Sequence, residues 1–278
     1  MNLVLFDPAE LAAPPEPNVR NTNIRTLPPL PRADARARHI VEVLRRAPGD
    51  TFDAGLINGP LGKATLVTIN ADTLTLTFEP TREPPPLPPV TLIIGLPRPQ
   101  TARDILRDAT TIGVSCIHFV ATARTDPNYA TSSLWTSGEW RRHLLTGAAQ
   151  AFDTRLPEIT WTHTLAEALQ KSNPLGYKPA AAPDAPPPAK CHSLSDTLPV
   201  RRLALDPYEA TGPLGKCHLM SDTFAGHTVL ALGPERGWDH ADRELLRAAG
   251  FTLVHLGQRI LRSETAVVAA LARIRDWN

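Results

Sequence analysis

Only three of the 278 residues are cysteine, Cys116, Cys191 and Cys217. So small and odd a number excludes a secreted disulfide framework, and reduced thiols in the cytosol are the simplest account. No apolar run approaches the roughly 18 residues of a membrane helix, and no basic-apolar leader stands at Met1-Asn2-Leu3. A soluble, cytoplasmic protein is expected. The net charge is only +1, so there is no strongly basic coat, and any contact with nucleic acid must use a local patch. Neither Gly-x-Gly-x-x-Gly nor Gly-Lys-Ser/Thr follows an apolar run, which counts against dinucleotide and P-loop sites.

What is present is a globular composition, 42% hydrophobic and 21% charged, with enough chain for two domains. The 29 prolines cluster. Pro80, Pro84, Pro85, Pro86, Pro88 and Pro89 mark a stiff polyproline linker. The domain over 1–80 therefore ends at a linker over 81–89, and a second domain occupies 90–278. A second Pro-rich stretch, 171–199, predicts an extended insertion.

In the first domain Leu3-Val4-Leu5-Phe6 predicts a strand. The segments 51–55, 62–69 and 73–78 alternate Thr and β-branched residues with apolar ones, as strands of a small barrel do. Between them a basic helix is predicted over Arg32–Arg46, with Ile40, Val43 and Leu44 on its apolar face. Its five arginines, Arg32, Arg36, Arg38, Arg45 and Arg46, outnumber Asp34 and Glu42. Such a run is either a phosphate-tracking patch or a solvated helix face.

The second domain alternates apolar strands, 91–96 and 117–121, with a helix over 101–112 closed by Gly113, the pattern of a parallel sheet covered on both faces. Its C-terminal part organises the chain. Val229-Leu230-Ala231-Leu232 breaks into Gly233-Pro234-Glu235-Arg236-Gly237-Trp238, and Leu253-Val254-His255-Leu256 breaks into Gly257-Gln258-Arg259-Ile260-Leu261-Arg262. Ordinary βα connections have such loops, and so do ligand crevices at the carboxyl ends of α/β strands. Between the two loops Asp239 predicts an N-cap, Ala241, Leu245 and Ala248 fall at helical spacing, and Gly250 stands where a helix would close. The final helix carries Val267, Val268, Leu271 and Ile274 as one apolar stripe, and it is expected to pack on the sheet.

Leu232-Gly233-Pro234-Glu235-x-Gly237, together with Leu256-Gly257-x-Arg259-Ile260-Leu261-Arg262-x-Glu264-Thr265-Ala266, resembles the C-terminal signature of the RsmE family. Members of that family are SPOUT-class methyltransferases acting on N3 of a uridine in small-subunit (16S) ribosomal RNA. Leu96-Pro97-Arg98, Ala109-Thr110-x-x-Gly113-Val114, Arg124, Gln150 and Pro157-Glu158 match as well. So does Arg38–Arg45 with Gly49-Asp50, which resembles the family's N-terminal PUA-like RNA-binding domain. The chain departs from the pattern at Thr111, where the family usually has Glu, at Asp153, where it has Arg, and at Arg236, where it has the first of two glycines.

The resemblance implies an α/β fold in which a SPOUT-type parallel sheet with a trefoil knot follows a small PUA-like β-barrel domain. It implies S-adenosylmethionine as cofactor, with Leu205, Leu232, Gly233, Glu235, Gly237, Leu256, Gly257, Ile260, Leu261 and Thr265 around it. Ribosomal RNA would be the partner, met by Arg36, Arg38, Arg45, Arg46, Arg124 and Arg236. Since the knot face forms half of a two-fold interface in that class, a homodimer is also expected. Uracil N3 is weakly acidic, so catalysis must remove its proton or stabilise the resulting anion. Arg262 is the expected catalytic cation, with Glu264 orienting it, although a structural ion pair capping the final helix would use the same two residues.

Lys190-Cys191-His192 recurs as Lys216-Cys217-His218. Adjacent residues rarely aim at one ion, so a local duplication is the simpler reading than zinc, and no metal site is expected. Two other functional classes remain: a non-catalytic RNA-binding relative, and an α/β enzyme acting on a small nucleotide.

Overall fold

The structure, a computed structural model, describes residues 3–11, 24–171, 199–214 and 226–274. The chain divides into two compact units, Met1–Leu87 with Arg142–Leu156, and Pro88–Arg141 with Pro157–Asn278.

In the first unit β1 (Val4–Phe6), β2 (Arg25–Thr26), β3 (Leu30–Pro31), β4 (Thr51–Leu56), β5 (Leu61–Ile69) and β6 (Thr73–Arg82) form one six-stranded sheet in the order β1-β4-β5-β6-β2, with β3 also on β6. The period-two signal behaves as predicted along β6. Leu74, Leu76 and Phe78 are fully buried, while the threonines between them face the other way. β6 runs on through Pro80 to Arg82, so it takes in the first residues of the stretch read as a linker.

The basic segment is helical over a shorter span than its charge pattern predicts. α1 (Ala35–Arg38) passes into one π-helical turn over His39–Val43, and Arg45 ends it at φ +52. Ile40 is buried as expected, but Val43 is exposed, because a π turn rotates later residues away from the 3.6-residue stripe. The segment Arg142–Leu156 belongs to this unit. Ala148 packs with Leu3, Leu5, Ile57 and Leu61, and Thr154 donates to the Gly59 carbonyl at 2.5 Å.

The second unit contains β7 (Val90–Gly95), α2 (Pro99–Ile112), β8 (Cys116–Val120), α3 (Ser133–Thr136), the start of α4 (Glu139–Ala151), β9 (Glu158–Thr162), α5 (Leu165–Lys171), β10 (Val200–Leu205), β11 (Gly212–Pro213), β12 (His227–Leu232), α6 (His240–Ala248), β13 (Thr252–His255) and α7 (Ser263–Ile274). Its seven strands are all parallel, in the order β11-β13-β10-β12-β7-β8-β9. Ile93, Ala204, Val229, Ala231 and Leu253 pack with α5 and α6 on one face, whereas Leu92 and Ile94 point to the other and are equally buried. Covering both faces is why these strands read as unbroken apolar runs.

Asp239 caps α6 in a reciprocal box with Asp242, as its position predicts, and Gly250 follows the helix at φ +78. The buried side of α6 is not the Ala241, Leu245 and Ala248 row, which is exposed; Asp242, Arg243 and Leu246 face inward instead. The helix buries an arginine because a carboxylate is waiting for it, which an apolar stripe cannot reveal. α7 lies against α2, with Val267 and Leu271 buried and Val268 exposed. The Pro-rich insertion over 172–198 and both Lys-Cys-His segments lie outside the described residues. No helix among the described residues is long and apolar enough to cross a membrane.

Candidate functional site

Because β13, β10 and β12 are parallel neighbours, the three loops that leave their carboxyl ends come off one edge of the sheet side by side. That edge is where α/β proteins hold ligands. The loop after β12 is pressed against the end of β7: a Cβ on Gly95 would stand 2.6 Å from the Pro234 nitrogen, so only glycine fits there. Its conformation is fixed by a turn in which Gly237 N donates to the Pro234 carbonyl at 2.7 Å, with Gly237 at φ +68. Glu235 accepts from the Arg98 backbone N–H at 3.0 Å, and Arg124 Nη1 donates to the Arg236 carbonyl at 2.7 Å. Trp238 is 1% exposed and donates from Nε1 to the Leu205 carbonyl at 3.1 Å, tying this loop to the end of β10.

The loop after β13 is open. Gly257 has φ +130, its N–H is held by His255 Nδ1 at 3.0 Å, and nothing lies within 4 Å of where its Cβ would be. Ile260 is 70% exposed and Leu261 is also exposed, an unusual position for two adjacent aliphatics beside bare backbone. Leu256 is half-buried, and Arg262 is exposed, its backbone carbonyl accepting the Ala266 N–H that opens α7. Glu264 and Thr265 occupy the first turn of that helix. Among the described residues no ion pair joins Arg262 to Glu264, so the helix-capping pair that sequence left open is not formed.

The expected cofactor residues Leu205, Leu232, Gly233, Glu235, Gly237, Leu256, Gly257, Ile260 and Leu261 are therefore gathered on the three adjacent loops and strand ends. The same edge carries Arg124 and Arg236, both exposed. In the first unit Arg38 and Arg45 are exposed and Arg46 is half-buried. Arg36 differs. It makes ion pairs with Glu10 at 2.7 Å and Asp34 at 2.8 Å, and these hold the guanidinium pKa well above its ordinary value. Its guanidinium donors are engaged by these carboxylates, which argues against a contact with RNA phosphates.

The sequence pointed to Leu205 at the end of β10 but not to the residues that anchor the loop after it. Asp206, 1% exposed, accepts the backbone N–H groups of Tyr208 and Glu209 at 2.7 and 2.9 Å and pairs with buried Arg243. The available signal was Asp-Pro directly after an apolar run, an Asx turn at a strand end.

The model of the RNA methyltransferase domain family matches residues 83–275, which places this parallel sheet and its glycine-lined edge in the class of RNA methyltransferases. The ribosomal RNA small subunit methyltransferase E of Treponema pallidum is 33% identical over 98% of this chain and 90% of its own length. The protein of the same name from Synechocystis is 30% identical over 86% of this chain and 70% of its own. A crystal structure of the Neisseria gonorrhoeae ribosomal RNA small subunit methyltransferase E bound to S-adenosyl methionine superposes with a TM-score of 0.66 at 22% identity, over 97% of this chain and 95% of that one. The chain belongs to the ribosomal RNA small subunit methyltransferase E family.

Proposed function

We propose that the chain transfers a methyl group from S-adenosylmethionine to N3 of a uridine in small-subunit ribosomal RNA. The observation that carries this reading is the three-loop edge, where Gly237 and Gly257 leave open space where a side chain would stand and Ile260 and Leu261 are exposed on the same loop as Gly257. The residues fit the cofactor. The space left at Gly237 and Gly257 suits a polar ribose and amino-acid tail, and two exposed aliphatics suit the faces of an adenine. The relatives' shared name and the cofactor in the Neisseria structure point the same way.

When bound, S-adenosylmethionine supplies an activated methyl group. The chain's own contribution would be alignment, the loops after β12 and β13 positioning the cofactor against the base. Arg262, exposed just before α7, is the cation that would stabilise negative charge developing on O2 and O4 of the uracil, and Glu264 lies in the first turn of that helix. Arg124 and Arg236 meet the RNA from the same edge, and Arg38, Arg45 and Arg46 form the basic patch of a PUA-like first domain. Its mainly antiparallel six-stranded sheet is compatible with that assignment.

A trefoil knot in the second domain is supported by β13 lying beyond β10 while α7 returns to α2. Homodimerisation through α7 is supported by exposed Val268, and a ribosomal RNA substrate favours a cytoplasmic location. Sedimentation resolving a dimer tests the assembly, and a monomer at all concentrations removes it.

Incubation of the purified chain with methyl-labelled S-adenosylmethionine and small-subunit RNA tests the reaction. Label in N3-methyluridine is expected. Cofactor binding without transfer would make the chain a non-catalytic relative.

A further inference from the structure

We propose that Tyr208, on the loop after β10, is the platform on which the target pyrimidine stacks after leaving its own helix. The proposal deepens the uridine reading above and rests on it for the identity of the base. Three observations carry it.

The ring is presented to solvent on an anchored loop. Tyr208 is 67% exposed, yet its backbone N–H is held by Asp206, which is itself 1% exposed and whose own N–H donates to the Val254 carbonyl at 2.9 Å. Arg243, buried in α6, donates to Asp206 and lies 3.3 Å from Glu209, which Arg247 grips in turn at 2.6 Å. A buried ion pair contributes little net stability compared with apolar packing, but it fixes geometry, and here what it fixes is the loop that carries the ring.

The ring already has a cation against it. The Arg243 guanidinium carbon lies 5.8 Å from the ring centroid. Most of the ring surface stays open, and a flat aromatic surface is what an unpaired base stacks on.

The ring stands at the reaction edge. A Cβ on Gly237 would lie 3.9 Å from Tyr208 Cε2, so the ring borders the loop after β12, and the Trp238-to-Leu205 hydrogen bond fixes that loop relative to the end of β10. Uracil N3 lies on the base-pairing edge, so the nucleotide must be unpaired before it reacts. Stacking grips a base by its face and leaves N3, O2 and O4 free. A contact of this kind suits attack at N3 better than hydrogen bonding to the same edge.

The test uses the full chain with Tyr208→Ala and Tyr208→Phe, thermal melting serving as the check on folding. Three quantities are measured: binding of an unstructured oligouridylate, affinity for S-adenosylmethionine by calorimetry, and KM and kcat for methyl transfer to small-subunit RNA. Tyr208→Ala is expected to weaken oligouridylate binding and raise the RNA KM by about tenfold. Cofactor affinity should stay within about twofold, and Tyr208→Phe should restore the parent values. Unchanged oligouridylate binding overturns the proposal, as does a loss of cofactor affinity as large as the loss for RNA, which would place the ring over the cofactor. If the parent chain transfers no methyl group, the functional reading fails, and the oligouridylate measurement still decides whether Tyr208 stacks bases.

Discussion

Arg124 and Arg236 are joined by one hydrogen bond, from the Arg124 guanidinium to the Arg236 backbone carbonyl at 2.7 Å. The bond fixes the backbone of the loop after β12 and leaves the Arg236 side chain exposed at the rim. A side chain turned into the crevice would carry an unpaired charge into a partly desolvated site, so the outward position is the cheaper one.

Arg236→Gly should therefore keep S-adenosylmethionine affinity within a few-fold while weakening RNA binding by about 1 to 2 kcal/mol, the worth of a charge-assisted contact. Calorimetry and filter binding on the same preparation check both halves. A variant that binds cofactor where the parent binds none would show instead that Arg236 blocks the crevice.

Gly95→Ala should disturb the same loop from beneath. Its Cβ would meet the backbone nitrogen of Pro234, which cannot swing aside as a flexible side chain does. Overpacking of this kind costs about 1 to 3 kcal/mol. A lower melting temperature with weakened cofactor binding is expected, and a variant indistinguishable from the parent in both would show that the loop yields freely.

The arginines of the first unit should separate by role. Hydrogen bonds from Arg36 hold the carboxyls of Glu10 and Asp34 below their ordinary pKa values. A depressed folded pKa contributes stability that is present above the unfolded value, near pH 4, and is lost as pH falls through the folded one. Arg36→Ala should lower stability at neutral pH by about 1 to 2 kcal/mol after allowance for solvent screening, and flatten the acid limb of the stability profile. Replacing Arg38 and Arg45 together should leave stability alone and reduce the salt dependence of RNA binding by about one to two ions. The opposite pattern would return Arg36 to the RNA face.

The sequence made the strands and the two glycine loops legible because both obey local rules: alternation in β6, the apolar run Val229–Leu232 in β12, and glycine where backbone must turn. It did not reveal the inward face of α6, since Arg243 is buried by a partner 37 positions away in the chain. Nor did it reveal how the loop after β10 is anchored, which depends on the same distant pair. The engagement of Arg36 is hidden for a related reason. Charge counting identifies a basic run but not which of its members are already neutralised by Glu10, 26 positions earlier.

The central claim is methyl transfer to N3 of a uridine in small-subunit ribosomal RNA, and nucleoside-resolved mass spectrometry of that RNA from cells with and without the gene tests it most directly. The account predicts that one N3-methyluridine disappears with the gene and returns with the parent sequence, but not with Arg262→Ala. An unchanged methylation map in cells lacking the gene would contradict it.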